Sequence, residues 1–164
     1  MKFLNLISYI SIVVLIAVLL LSILIFIGIN VKIDISQSVI MADNHSKSDI
    51  QLLARAVNGE SRGEPYEGQI AVAAVVLNRV KHPSFPNTIS GVIYQPRAFT
   101  AVADGQINVP IDSTSTVFRA CEEAMNSSDP SGGAIYYYNP TTSTSKWIFS
   151  RQVIKTIGKH KFAI

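Results

Sequence analysis

Three carboxylates crowd one short stretch of the chain: Glu60, Glu64 and Glu67 in GESRGEPYEG. A protonated carboxyl can hand its proton to a leaving oxygen, and a second one nearby can serve as base or nucleophile. The three are not equivalent. Ile50, Leu53 and Val57 recur at intervals of three and four, the spacing of one buried helix face, and the next such step lands on Glu60. Glu60 therefore falls in the last turn of a helix on its apolar side, where desolvation raises a carboxyl pKa toward the range of a general acid. Glu64 precedes Pro65 and is placed either to cap the following helix or to pair with Arg62 or Arg55. Glu67 belongs to that helix's first turn, where negative charge suits the helix dipole. Spacing alone leaves two readings of Glu60 open: a catalytic acid, or a helix-terminal carboxylate that satisfies backbone donors.

Other chemistries find little support. His45, His82 and His160 are scattered and no H-E-x-x-H or cysteine-rich spacing occurs, so neither a metal nor a cofactor is expected. There is no G-x-S-x-G elbow for a serine nucleophile and no glycine loop followed by Lys-Ser or Lys-Thr for phosphate. Cys121 is the sole cysteine, which excludes an internal disulfide, and its place in VFRACEEAM marks a small buried hydrophobe. Asp104 sits in an Asp-Gly turn and Asp112 precedes a helix start, so neither stands out as a dedicated second carboxylate. The aromatic group Tyr136, Tyr137, Tyr138 and Trp147 divides between core and groove, and alternation along a strand does not say which ring goes where. A net charge of +3 without a basic cluster argues against a nucleic-acid partner.

These residues need elements to hold them. The first domain helix is expected to start at Ser48, with Ser48 as N-cap and Gln51 completing a capping box, and to end near Glu60 between Gly59 and Gly63. A second opens at Pro65 and runs through PYEGQIAVAAVVLNRVKH, its alanines allowing close approach by other helices, as suits the central helix of the domain. A short helical segment follows around 88–93, then a long irregular stretch, YQPRAFTAVADGQINVPIDS, of the length that is usually functional. A third helix is expected over 114–126, an extended segment over 134–139, and apolar positions return over 147–162. The fold class is α+β: a mostly helical compact domain over residues 48–164 with a small β portion. Ahead of it, no charged residue occurs from Phe3 to Val31, and IVVLIAVLLL runs uninterrupted from Ile12 to Leu21. That run is expected to be one transmembrane helix, residues 1–31 forming the anchor and 32–47 a juxtamembrane linker. A cleaved signal peptide fits less well, because FIGINVKIDIS offers no A-x-A-like site.

The stretch from Ala54 to Ile107, ARAVNGESRGEPYEGQIAVAAVVLNRVKHPSFPNTISGVIYQPRAFTAVADGQI, resembles the cell-wall hydrolase family of the spore cortex-lytic enzymes. AIYYYNP from Ala134 and IGKHKF from Ile157 resemble its closing motifs, with Trp147 between them. The resemblance implies a compact lysozyme or lytic-transglycosylase fold with Glu60 as catalytic acid. It also implies a substrate groove walled by Phe99, Thr100, Tyr137, Asn139 and His160, with Glu64 beside them. The partner implied is the glycan strand of peptidoglycan. The expected reaction is lytic transglycosylation, with Glu60 acting as acid and then base to leave 1,6-anhydromuramic ends. A hydrolytic muramidase of the same fold and a non-catalytic peptidoglycan-binding module are the alternatives. With the bilayer as a second partner through residues 3–31, the expected location is a single-pass membrane protein with its domain outside the cytoplasm, the spore or forespore membrane included. Two features depart from the family pattern: no separate peptidoglycan-binding repeat is present, and the long apolar segment is unlike a removable signal peptide.

Overall fold

The computed structural model describes the backbone of residues 2–164 and the side chains of residues 14–29, 32 and 46–164. It divides into two units between His45 and Ser46. The first helix, α1, runs Lys2–Glu60, so Ser48, Asp49 and Gln51 lie within a helix instead of capping one. Gln51 instead donates from Nε2 to the Ile111 carbonyl at 3.0 Å, tying the long loop to α1. Gly59 likewise does not break the helix, which ends at Glu60 as the spacing predicts.

The expected membrane anchor is not found. Among the described residues no helix is long and apolar enough to cross a membrane. Of the apolar run, only the side chains from Val14 to Ile29 are among those described. With the span go the lipid-bilayer partner and the single-pass location with its extracytoplasmic domain. The stretch expected as a linker, 32–47, has helical backbone.

From Ser46 onward the domain is mostly helical with a small sheet, as the α+β reading expects. Helix α2 (Tyr66–Lys81) follows Pro65, whose extended backbone makes it the N-cap and not the first helical residue. Ile70 through Val76 are all buried, which is the burial expected of a central helix. Helix α5 (Thr116–Met125) packs along α2 with Val117, Phe118, Ala120, Cys121 and Ala124 buried. Its start is fixed by Ser115, whose hydroxyl accepts from Phe118 N at 3.3 Å. Burial pushes the Cys121 thiol up to about 12, which suits a packing residue and no thiolate chemistry. Two short helices, α3 (Ile89–Ile93) and α4 (Thr100–Ala103), and a one-turn 3-10 segment at Gln106–Asn108 occupy the region read as irregular.

Strands β1 (Tyr136–Tyr138), β2 (Val153–Ile157) and β3 (His160–Ala163) form an antiparallel sheet in the order β1-β3-β2. Tyr137 pairs with Phe162, and Phe162, fully buried, joins the sheet to the helical core.

Candidate active site

Glu60 closes α1 and is partly buried, so the desolvation expected from its spacing is incomplete. Its Oε1 accepts two hydrogen bonds from one residue, Thr100 N at 2.7 Å and Thr100 Oγ1 at 2.6 Å. Thr100 opens α4, and the first amides of a helix have no partner within it. Glu60 supplies that partner from another element. Phe99, just before, is extended and buried in the core, which anchors this end of α4. The approach is close because position 59 is glycine: a Cβ there would lie 2.7 Å from Ala101 Cβ.

Tyr137 on β1 brings its hydroxyl to the same carboxylate. Burial, then the Glu60 charge, hold this phenol well above its ordinary value, while Arg79 pulls the other way. Tyr137 therefore stays protonated near neutral pH and acts as a donor. Arg79, from the last turn of α2, is the cation of the site. Burial lowers its pKa, and Tyr137, Tyr136 and Glu60 oppose that effect. A guanidinium keeps its charge even so. Arg79 is fixed by Nε donating to the Ile135 carbonyl at 2.7 Å and by ring faces, with Phe85 5.4 Å and Phe99 and Tyr136 each 6.0 Å from the guanidinium carbon. The sequence reading passed over Arg79, although a signal was present. Val72, Val75, Val76 and Arg79 share one helical stripe, the same mark that singled out Glu60.

Glu64 and His160 come together, but not as an open groove wall. The Glu64 side chain is 2% exposed, its Oε2 accepts from Lys159 N at 2.9 Å, and its Oε1 lies 3.5 Å from His160 Nδ1. That last contact has an ion-pair distance without hydrogen-bond geometry. Glu64 thus clamps the β2–β3 turn onto the start of α2. The turn fits because Gly158 has φ +57° and no Cβ, which would overlap the Glu64 carboxylate. The His160 ring meets the Tyr137 ring edge-on at 5.4 Å, so the clamp also packs against the residue that reaches Glu60. Asn139 stands apart from these contacts. Its Oδ1 accepts from Thr141 N at 2.9 Å, and it borders a pocket of about 490 Å³ lined also by Thr156, Lys159 and Lys161.

Of the residues expected to line a site, the fold gathers Phe99, Thr100 and Tyr137 around Glu60, pairs Glu64 with His160 behind Tyr137, and leaves Asn139 in a turn. Glu67 is exposed and lies 3.8 Å from Lys155. Asp104 takes both Gln106 nitrogens at 3.0 Å. Among the described residues no cluster of three His, Cys, Asp or Glu side chains could hold a metal. The cluster can chemically do one thing well: hold a single carboxylate among a hydroxyl, an amide, a phenol and a guanidinium, none of which changes charge near neutral pH.

The sequence profile of the Cell Wall Hydrolase family matches residues 63–163. The spore cortex-lytic enzyme of Bacillus cereus is 62% identical over 120 residues, which is 73% of this chain and 46% of that protein, so the chain spans less than half the length of that relative. Among solved structures, the catalytic domain of the Bacillus cereus SleB protein aligns with a TM-score of 0.68 and 62% identity, covering 72% of this chain and 91% of that one. The catalytic domain of the germination-specific lytic transglycosylase SleB from Bacillus anthracis aligns with the same TM-score and identity, over 71% and 93%. As its glycine–acid and closing motifs implied, the chain belongs to the cell wall hydrolase family of the SleB- and CwlJ-like spore cortex-lytic enzymes.

Proposed function

We propose that this chain is a peptidoglycan lytic transglycosylase, with residues 48–164 as its catalytic domain and Glu60 as general acid and then base. The observation that carries this reading is that, among the described residues, the acids nearest Glu60 in sequence have other partners. Paired-carboxyl glycosidases hold their two acids about 5 Å apart for retention or roughly 6.5–9.5 Å apart for inversion. Here the nearby candidates are committed elsewhere: Glu64 to Lys159 and His160, Glu67 to Lys155, Asp104 to Gln106. One acid suffices when the substrate supplies its own nucleophile. Protonated Glu60 gives its proton to the glycosidic oxygen leaving C1 of muramic acid. The carboxylate then takes the proton of that sugar's C6 hydroxyl as O6 bonds to C1. One C–O bond breaks, one forms, Glu60 regains its proton, and no water is consumed. Thr100 holds Oε1 with two donors, which fixes the carboxyl through both steps. The relative from Bacillus anthracis, named as a lytic transglycosylase, points the same way.

Hydrolysis on the same fold is the second reading, favoured by the family's description as a cell wall hydrolase. Mass spectrometry of muropeptides released from purified sacculi decides between them. Anhydromuramic ends, lighter by one water and resistant to borohydride, are expected. Reducible ends carrying oxygen from labelled water would establish hydrolysis and overturn the transglycosylase reading.

A further inference from the structure

Trp147 is 51% exposed, yet two neighbours hold it in place. The Arg151 guanidinium lies 4.4 Å from the indole centroid, and the Tyr136 ring meets it edge-on at 5.1 Å and 89°. Arg151 Nε is buried and has no hydrogen-bond partner among the described residues, so stacking on the indole is what positions that side chain. A half-exposed tryptophan contributes little to a core, and locking its rotamer costs conformational entropy. Such an arrangement suits a surface whose partner arrives from solution, since indole offers large rigid area at small ordering cost.

The position of Trp147 indicates which partner. Tyr136 packs on Phe85 at 6.2 Å and on the Arg79 guanidinium at 6.0 Å, and Arg79 is the cation facing Glu60. Ring contacts therefore connect Trp147 through Tyr136 to Arg79, the guanidinium that feels the Glu60 charge. Hexosamine rings present flat C–H faces that stack on indole, while their hydroxyls and N-acetyl groups need donors such as guanidinium N–H.

We propose that Trp147, backed by Tyr136 and Arg151, is a stacking subsite for an N-acetylhexosamine ring of a glycan strand extending from the bond at Glu60. The proposal rests on the peptidoglycan-cleaving reading of Glu60. Because the chain has a single tryptophan, its fluorescence reports on this position alone. The full-length Glu60→Gln protein is titrated with glycan strands freed of peptide by an amidase. A saturable change in indole emission is expected. In the otherwise unaltered protein, Trp147→Ala should raise KM for strands about tenfold while kcat moves less than about threefold, with Trp147→Phe recovering part of the loss. Strands that sediment with the Glu60→Gln protein but leave the indole emission unchanged, together with an unaltered KM in Trp147→Ala, would overturn the subsite. An indole response from a wild-type protein that releases no fragments from sacculi would uphold the subsite and remove the catalytic reading instead.

Discussion

Gly59→Ala tests whether close packing beside Glu60 sets its hydrogen bonds. The added Cβ would sit 2.7 Å from Ala101 Cβ, whereas carbon atoms in contact rest about 3.5–4.0 Å apart. Ala101 is fully buried, so relief requires α4 to retreat from the end of α1 by about 1 Å. Thr100 precedes Ala101 and would move with it. Bonds of 2.7 and 2.6 Å from Thr100 to Glu60 would then lengthen to roughly 3.6 Å, beyond hydrogen-bond range. Overpacking costs about 1–3 kcal/mol, and the better helix propensity of alanine returns about 1 kcal/mol, leaving a net loss of about 0–2 kcal/mol. Activity should suffer more, since misplacing a catalytic group by about 1 Å costs up to a hundredfold. Thermal melts and the rate of sacculus solubilisation measure the two effects separately. Adding Ala101→Gly removes the obstructing methyl, leaving the Ala101 Cα at an ordinary 3.5 Å, and should restore the rate. A Gly59→Ala protein that melts lower yet cleaves at the wild-type rate would refute the link between this contact and Glu60.

Glu60→Gln keeps the shape and removes the transferable proton, so cleavage should fall by at least about a thousandfold while the circular dichroism spectrum stays unchanged. Gly158→Ala forces a side chain into the Glu64 carboxylate at φ +57° and should cost at least about 2 kcal/mol of stability, read by denaturant titration. Burial opposes ionisation of Asp129, but hydrogen bonds from Ser131, Asn78 and Gly133 outweigh it and hold the carboxyl below its usual value. Its stabilising contribution is therefore full at neutral pH and is lost as pH falls through the lowered pKa; Asp129→Asn should flatten the acid side of a Tm-against-pH curve.

How much of this was legible in the sequence follows from what each feature depends on. The place of Glu60 at the end of α1 was readable because helical periodicity is local: Leu53 and Val57 fix the buried face without knowledge of its partner. Helix α5 was legible for the same reason, and β1 from its β-branched and aromatic residues, each within two residues at its ends. The Ser48 start failed because a capping box marks where a helix can begin, and continuation of α1 through it overrode that local preference. The expected membrane span rested on composition over 3–31, whereas among the described residues no helix is long and apolar enough to cross a membrane. Glu64 was read as a cap or as partner of Arg62 or Arg55, because its actual partners, Lys159 and His160, lie far along the chain. Family resemblance placed Tyr137 and Thr100 near Glu60, yet only tertiary packing could show that both converge on its carboxylate.

Sequence distance also bears on how one carboxyl would serve both steps of the proposed reaction. The partners of Glu60 come from α4, β1 and α2, and each is fixed by contacts that do not involve Glu60. Phe99 roots Thr100 in the core, pairing with Phe162 sets Tyr137, and the Ile135 carbonyl with three aromatic rings sets Arg79. A partner held by its own neighbours does not reorganise when Glu60 loses its proton, which is the condition for preorganised electrostatic stabilisation. The Glu64 clamp extends this logic to the sheet. By fixing the β2–β3 turn to α2, it holds β3, and β3 in turn sets the register of β1, so Tyr137 reaches Glu60 from a strand that cannot slide. A slip of one residue there would turn Tyr137 to the opposite face and remove the phenol from the carboxylate. The buried Glu64 and His160 therefore bear on Glu60 through β3 and β1.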